Sequence, residues 1–125
     1  MKTRRRKTMN TNGVRVAGVI GEKHRANMIL EAASKLYGIP RDRITSKRRL
    51  QRLVEVRRMC CYVMRTHTTL TYHEISDFLG GRDHSTLIHA FRSAESYIDA
   101  YSDYRNDYER LIKEYKNLLM EGQND

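Results

Sequence analysis

Apolar residues recur at intervals of three and four along most of this chain, and each run ends at a glycine, a proline or a polar cluster. Ala26, Ile29, Leu30, Ala33, Leu36 and Tyr37 form the first run, which predicts a helix over about residues 22–37 with one buried face. Gly38 and Pro40 stop it, and Ile39 and Ile44 anchor a short second helix or turn. Leu53, Val56, Met59, Cys60, Val63 and Met64 mark a third helix over about 52–67. Thr71 and Glu74 stand three apart ahead of an apolar stretch, the spacing of a capping box. That starts a short helix ending near Leu79, with Ile75, Phe78 and Leu79 inward. Gly80 and Gly81 then supply a sharp turn in which positive φ carries no steric cost. A longer helix follows from about Asp83 to Ile98, on an inner stripe of Leu87, Phe91, Ala94 and Ile98.

Beyond it, Tyr97, Tyr101, Tyr104, Tyr108, Leu111, Tyr115 and Leu118 alternate four and three, which is a heptad seam dominated by tyrosine. Two arrangements satisfy such a seam. It packs back on the domain's own helices, with Ser102 capping a restart, or it zips against a second copy to give a homodimer. Residues 1–21 show no helical period and place Arg4-Arg5-Arg6-Lys7 among Thr, Asn and Gly, which reads as a flexible basic arm. The expected organisation is therefore an arm at 1–21, one helical domain at 22–121 with a helix-turn-helix at 71–98, and a tail at 122–125. The fold class is all-α.

Charge adds a partner to this picture. The 125 residues carry 24 Lys and Arg against 15 Asp and Glu, a net +9, which is the footprint of a polyanion binder. The distribution is uneven: residues 41–58 hold eight bases against two acids, and residues 96–125 hold four bases against seven acids. Cys60 and Cys61, the only cysteines, are adjacent within an apolar helical stretch, so core packing in a reducing compartment fits better than a metal or redox site. The five histidines are scattered, and Asp83, His84 and Ser85 are neighbours that cannot form a nucleophile–base–orienter chain. No enzyme, metal or cofactor is expected. No apolar run is long enough to span a membrane, and the basic N-terminus lacks a following secretory core. A soluble, cytoplasmic protein is the expectation.

The most specific chemistry lies at residues 80–90, Gly-Gly-Arg-Asp-His-Ser-Thr-Leu-Ile-His-Ala. Arg82, Asp83, His84, Ser85 and Thr86 open a helix after a tight turn, and His89 and Arg92 follow on its outward face. Arg pairs with guanine, Asp accepts from cytosine, and Ser or Thr meets thymine or a phosphate. A helix-turn-helix presents its recognition helix in this way.

This stretch closely resembles the signature of the C-terminal DNA-binding domain of DnaA, the bacterial replication initiator, and the resemblance extends at lower density over about residues 26–119. It implies a Trp-repressor-like, multi-helix domain containing the helix-turn-helix and closing with a C-terminal helix. It implies double-stranded DNA as the partner, with Arg82, Asp83, His84, Ser85, Thr86 and His89 toward the major groove. Ser46-Lys47-Arg48-Arg49 matches the family's basic loop, which assigns Arg49 to an AT-rich minor groove. Lys47, Arg48, Arg52, Arg57, Arg65 and Arg92 join it as minor-groove or backbone contacts. The chain departs from the family pattern at Glu55, Val56, His73 and Ser85, so a related but not identical target is expected.

The initiator's ATPase module has no counterpart here. Gly13 and Gly18 have P-loop spacing, but Val19 and Ile20 occupy the Lys and Ser/Thr positions, so no nucleotide is expected. The resulting function is that of a sequence-specific regulator or accessory factor of replication. The alternatives are a protein-interaction module using the Tyr/Leu seam, or an RNA binder using the basic arm.

Overall fold

A computed structural model describes residues 14–124, with side chains described over 21–121. Six helices follow in order: α1 (Val14–Tyr37), α2 (Arg41–Ile44), α3 (Gln51–His67), α4 (Tyr72–Phe78), α5 (His84–Ala100) and α6 (Ser102–Asn124). The described residues contain no strand.

α3 touches every other helix. Its Leu53, Val56, Met59, Cys60, Cys61, Val63 and Met64 are all buried, joined by Ala26, Ile29, Leu30 and Ala33 of α1, Ile44, Leu70, Ile75, Leu79 and Leu87. The cysteines are free core residues, and burial pushes both thiols up to about 12. Thiols so raised are protonated at neutral pH and inert.

The helix ends follow local chemistry. Gly38 takes φ +67° and the Ile39 N–H donates to the Ser34 carbonyl at 3.2 Å, which is a Schellman stop for α1. The capping box forms as the sequence predicts: Thr71 Oγ1 accepts from the Glu74 N–H at 3.2 Å, and Glu74 Oε1 accepts from the Thr71 N–H at 2.9 Å. Those bonds to Thr71 hold the Glu74 carboxyl below its usual range. α4 ends as α1 does, with Gly80 at φ +88° and the Gly81 N–H on the Ser76 carbonyl at 2.8 Å.

Two boundaries differ from the sequence pattern. α1 starts at Val14, not near residue 22; the run from Val14 to Ile20 is almost wholly apolar, so periodicity cannot register it. The basic stretch Arg4-Arg5-Arg6-Lys7 lies outside the described residues. At the other end, α6 continues through Asn124, into the expected tail. The seam breaks just ahead of Ser102, where the fold-back alternative has it restart, because Tyr101 is extended (φ −124°, ψ 119°) and 59% exposed.

That break turns α6 back along α1 and α5. Arg105 fixes the corner by donating to the Ile98 and Asp99 carbonyls, both at 3.0 Å, at the C-terminal end of α5. Leu111 and Tyr115 are buried, Tyr104 and Tyr108 pack on the core, and Lys35 of α1 pairs with Glu114 at 3.0 Å. The seam is thus covered by the domain itself.

Candidate nucleic-acid interface

Among the described residues the 46–50 loop is densely cationic, with Lys47, Arg48 and Arg49 in succession, and Arg57 of α3 holds it in shape. Arg57 Nε donates to the Ile44 carbonyl at 2.5 Å and Nη1 to the Arg48 carbonyl at 2.6 Å. Its Nη2 reaches the Ser46 carbonyl at 2.8 Å and the Arg43 carbonyl at 3.3 Å. Sequence assigns Arg57 to the DNA contacts, but the structure buries it to 7% exposure and turns its guanidinium inward. The carbonyls of a tight loop need donors, and α3 supplies them from one long side chain. Lys47, Arg48 and Arg49 are left exposed on the outside of the loop.

The helix-turn-helix meets this loop directly. Arg82 Nη2 also donates to the Ser46 carbonyl, and the Ser76 hydroxyl of α4 donates to the Arg82 carbonyl at 2.6 Å. A Cβ built on Gly80 would lie 2.0 Å from the Thr45 carbonyl oxygen, so the turn and the loop approach as closely as glycine permits. Loop, α3 and the start of α5 enclose an open cleft of about 520 Å³. Lys47, Arg49, Arg58, Arg82, Thr86 and His89 are among the residues that line it, with Asp83 on the rim of α5.

The cleft is strongly cationic. Burial, and then the neighbouring Arg82, pushes the Arg57 guanidinium below its ordinary value. Arg82 is lowered likewise, by burial and then by Arg49. Among the described residues no carboxylate lies within ion-pairing distance of these three arginines. An array of cations without internal counter-charges favours an anion from outside. The one acid present, Asp83, accepts from the Ser85 hydroxyl, which holds its carboxyl below the usual range.

The other expected contact residues divide by position. Asp83, Ser85, Thr86, His89 and Arg92 are exposed along the outer side of α5. His84 is exposed beside the Tyr72 ring, with centroids 5.6 Å apart, and does not line the cleft. Arg52 donates to the Tyr37 carbonyl at 2.9 Å, tying α3 to the end of α1. Arg65 lies over the Tyr72 ring at 4.7 Å and donates to the Leu70 carbonyl at 3.0 Å, so it pins the α3–α4 connection away from the cleft. Arg58 is not among the contacts that the sequence suggests. It lines the cleft beside Val54 and rests over the Tyr97 ring at 5.2 Å. The i, i+4 spacing of Val54 and Arg58 is the signal that places both on one face of α3.

The comparison with known families matches residues 26–93 to the bacterial DnaA protein helix-turn-helix. The chain belongs to the DnaA helix-turn-helix family. The matched span runs from the buried face of α1 to the outward face of α5, and so contains the loop, the turn and the cleft. The chromosomal replication initiator protein DnaA of Rhizobium meliloti is 34% identical over 99 residues, covering 75% of this chain and 21% of that protein. The DnaA of Neisseria meningitidis is 31% identical over 97 residues, covering 75% of this chain and 19% of that protein. That of Bacteroides fragilis is 26% identical over 83 residues, covering 66% and 17%. The chain spans about a fifth of the length of these DnaA relatives. Among the described residues no helix is long and apolar enough to cross a membrane, and no cluster of His, Cys, Asp or Glu is arranged to hold a metal ion.

Proposed function

We propose that this chain binds double-stranded DNA in a sequence-specific way, at a site related to the box of the DnaA initiators, and acts as a regulator or accessory factor of replication. The first turn of α5 enters the major groove, where Asp83, His84, Ser85, Thr86 and His89 meet base edges. The basic loop lies along the adjacent minor groove, with Arg49 reading an AT-rich stretch and Lys47, Arg48 and Arg58 near phosphates. One observation carries this reading: the loop and the recognition helix are joined at the Ser46 carbonyl and flank a single cationic cleft. Two readers at a fixed separation let one copy recognise an asymmetric site without a palindrome.

Selection of bound sequences from a random duplex library tests the proposal. Arg49→Ala relaxes an AT preference at one end of the selected site, whereas His84→Ala removes discrimination at one or two other positions, by about 1–3 kcal/mol each. Loss of information at the same positions in both variants contradicts the two-groove arrangement.

A further inference from the structure

Arg82 opens the stretch with the side chains best suited to read bases, and an arginine there invites assignment to guanine. Its surroundings give it different work. Its Nη2 donates to the Ser46 carbonyl, at the start of the basic loop and 36 positions away in sequence. The same carbonyl accepts from Arg57 at 2.8 Å, so the loop is gripped at one atom from both α3 and the turn. The Arg82 carbonyl is itself fixed by the buried Ser76, and the side chain is half-buried while Asp83, His84, Ser85 and Thr86 are exposed. Burial lowers its guanidinium and Arg49 lies near it, so Arg82 sits between the two readers, not at the tip of either.

We infer that Arg82 is a positioning residue, which sets the spacing between the minor-groove loop and the recognition helix and thereby makes the protein measure distance along the duplex as well as base identity. This rests on the DNA-binding reading above. An arginine that reads guanine uses two parallel N–H groups on O6 and N7. One whose Nη2 is committed to a loop carbonyl, behind the exposed residues, acts through the position of Arg49 instead. Without that bond the loop stays folded on Arg57 and stacked against Gly80, but it loses the side-chain hydrogen bond that ties Ser46 to the start of α5 and can shift along it.

The test uses the full chain with Arg82→Met and Arg82→Lys. Each is put through site selection, then titrated on the wild-type site and on a site with one base pair inserted between the AT block and the remainder. Wild type discriminates against the inserted site by about tenfold or more, the scale of a mismatched pair. Arg82→Met keeps its major-groove preferences, spreads the AT block over two spacings, and binds the two sites within about threefold of each other. Arg82→Lys, which retains a donor for the Ser46 carbonyl, keeps the wild-type spacing. A merely structural role for Arg82 lowers affinity for both sites alike, and that result overturns the inference. Loss of a single guanine position in either variant, with the AT block in register, also overturns it, because Arg82 is then a base reader. Should Arg82→Met not fold, the lysine variant decides alone between retained spacing and lost guanine. A wild-type chain that selects no sequence removes the DNA-binding reading itself, and this inference falls with it; the wild-type arm separates that failure from the others.

Discussion

At Gly80 two constraints coincide: φ is +88°, and an added Cβ would lie 2.0 Å from a backbone oxygen of the neighbouring loop. Gly81, one residue on, has φ +77° but nothing within 4 Å of such a Cβ. The pair therefore separates conformational strain from close approach. Gly81→Ala is expected to cost about 1–2 kcal/mol, the price of a left-handed backbone for an L-residue. Gly80→Ala carries the same strain and must also push the turn off Thr45, so it costs more than about 3 kcal/mol. Denaturant unfolding of the two variants checks the order, and equal losses would mean that the turn moves freely against the loop. Arg57 shows the same residue-level point from the other side. Its place in a run of cations reads as a DNA contact, yet what fixes it is the set of loop carbonyls that need donors.

Between elements, the pairing of α3 with α6 contains a titratable contact. His67 Nε2 lies 3.1 Å from the Tyr108 hydroxyl, and the edge of the Tyr115 ring packs against the imidazole with centroids 6.2 Å apart. Burial, and then the nearby Lys116, holds the His67 imidazole below its ordinary 6.5. The folded state thus prefers the neutral ring. The unfolded chain binds the extra proton first as pH falls, so the contribution is whole above about pH 6.5 and is lost below it. Thermal melts from pH 7.5 down to 5.5 are expected to show a falling melting temperature, and His67→Gln to flatten that slope. An unchanged slope in the variant would place the acid sensitivity elsewhere. The seam itself was legible as a heptad, but its partner was not. A heptad states only that one face is buried, and the turn at Tyr101 decides that α1, α3 and α5 bury it.

For the whole molecule, the segregation of charge becomes a direction. Lys47 and Arg49 of the loop, Arg58 of α3 and Arg82 of the turn lie around one cleft, while residues 96–125 hold seven acids against four bases. Affinity for duplex DNA is expected to fall steeply with salt, because each neutralised phosphate releases its counterion. Lys47→Ala should reduce the salt slope by about one and weaken all sequences alike. Binding to double-stranded RNA should be much weaker, since its deep, narrow major groove does not admit a helix. Filter binding across a salt series with both duplexes measures this, and equal affinities would contradict it. Because Leu111 and Tyr115 are already buried within one chain, light scattering of the free protein is expected to give the mass of a monomer.

The sequence by itself determined the helices, the capping box at Thr71, the glycine turn and the charge of the loop. Each depends on residues within a turn or two of one another, and local periodicity and capping chemistry report such short-range constraints faithfully. The start of α1 escaped because an unbroken apolar run has no period to read. Only the tertiary structure decided that Arg57 points inward while Arg58 faces the cleft, that Arg65 pins a connection, and that Arg82 reaches the Ser46 carbonyl. Those outcomes turn on which backbone carbonyls lack donors once distant segments meet. No periodicity along the chain encodes that, since the partners stand anywhere from 5 to 36 positions apart.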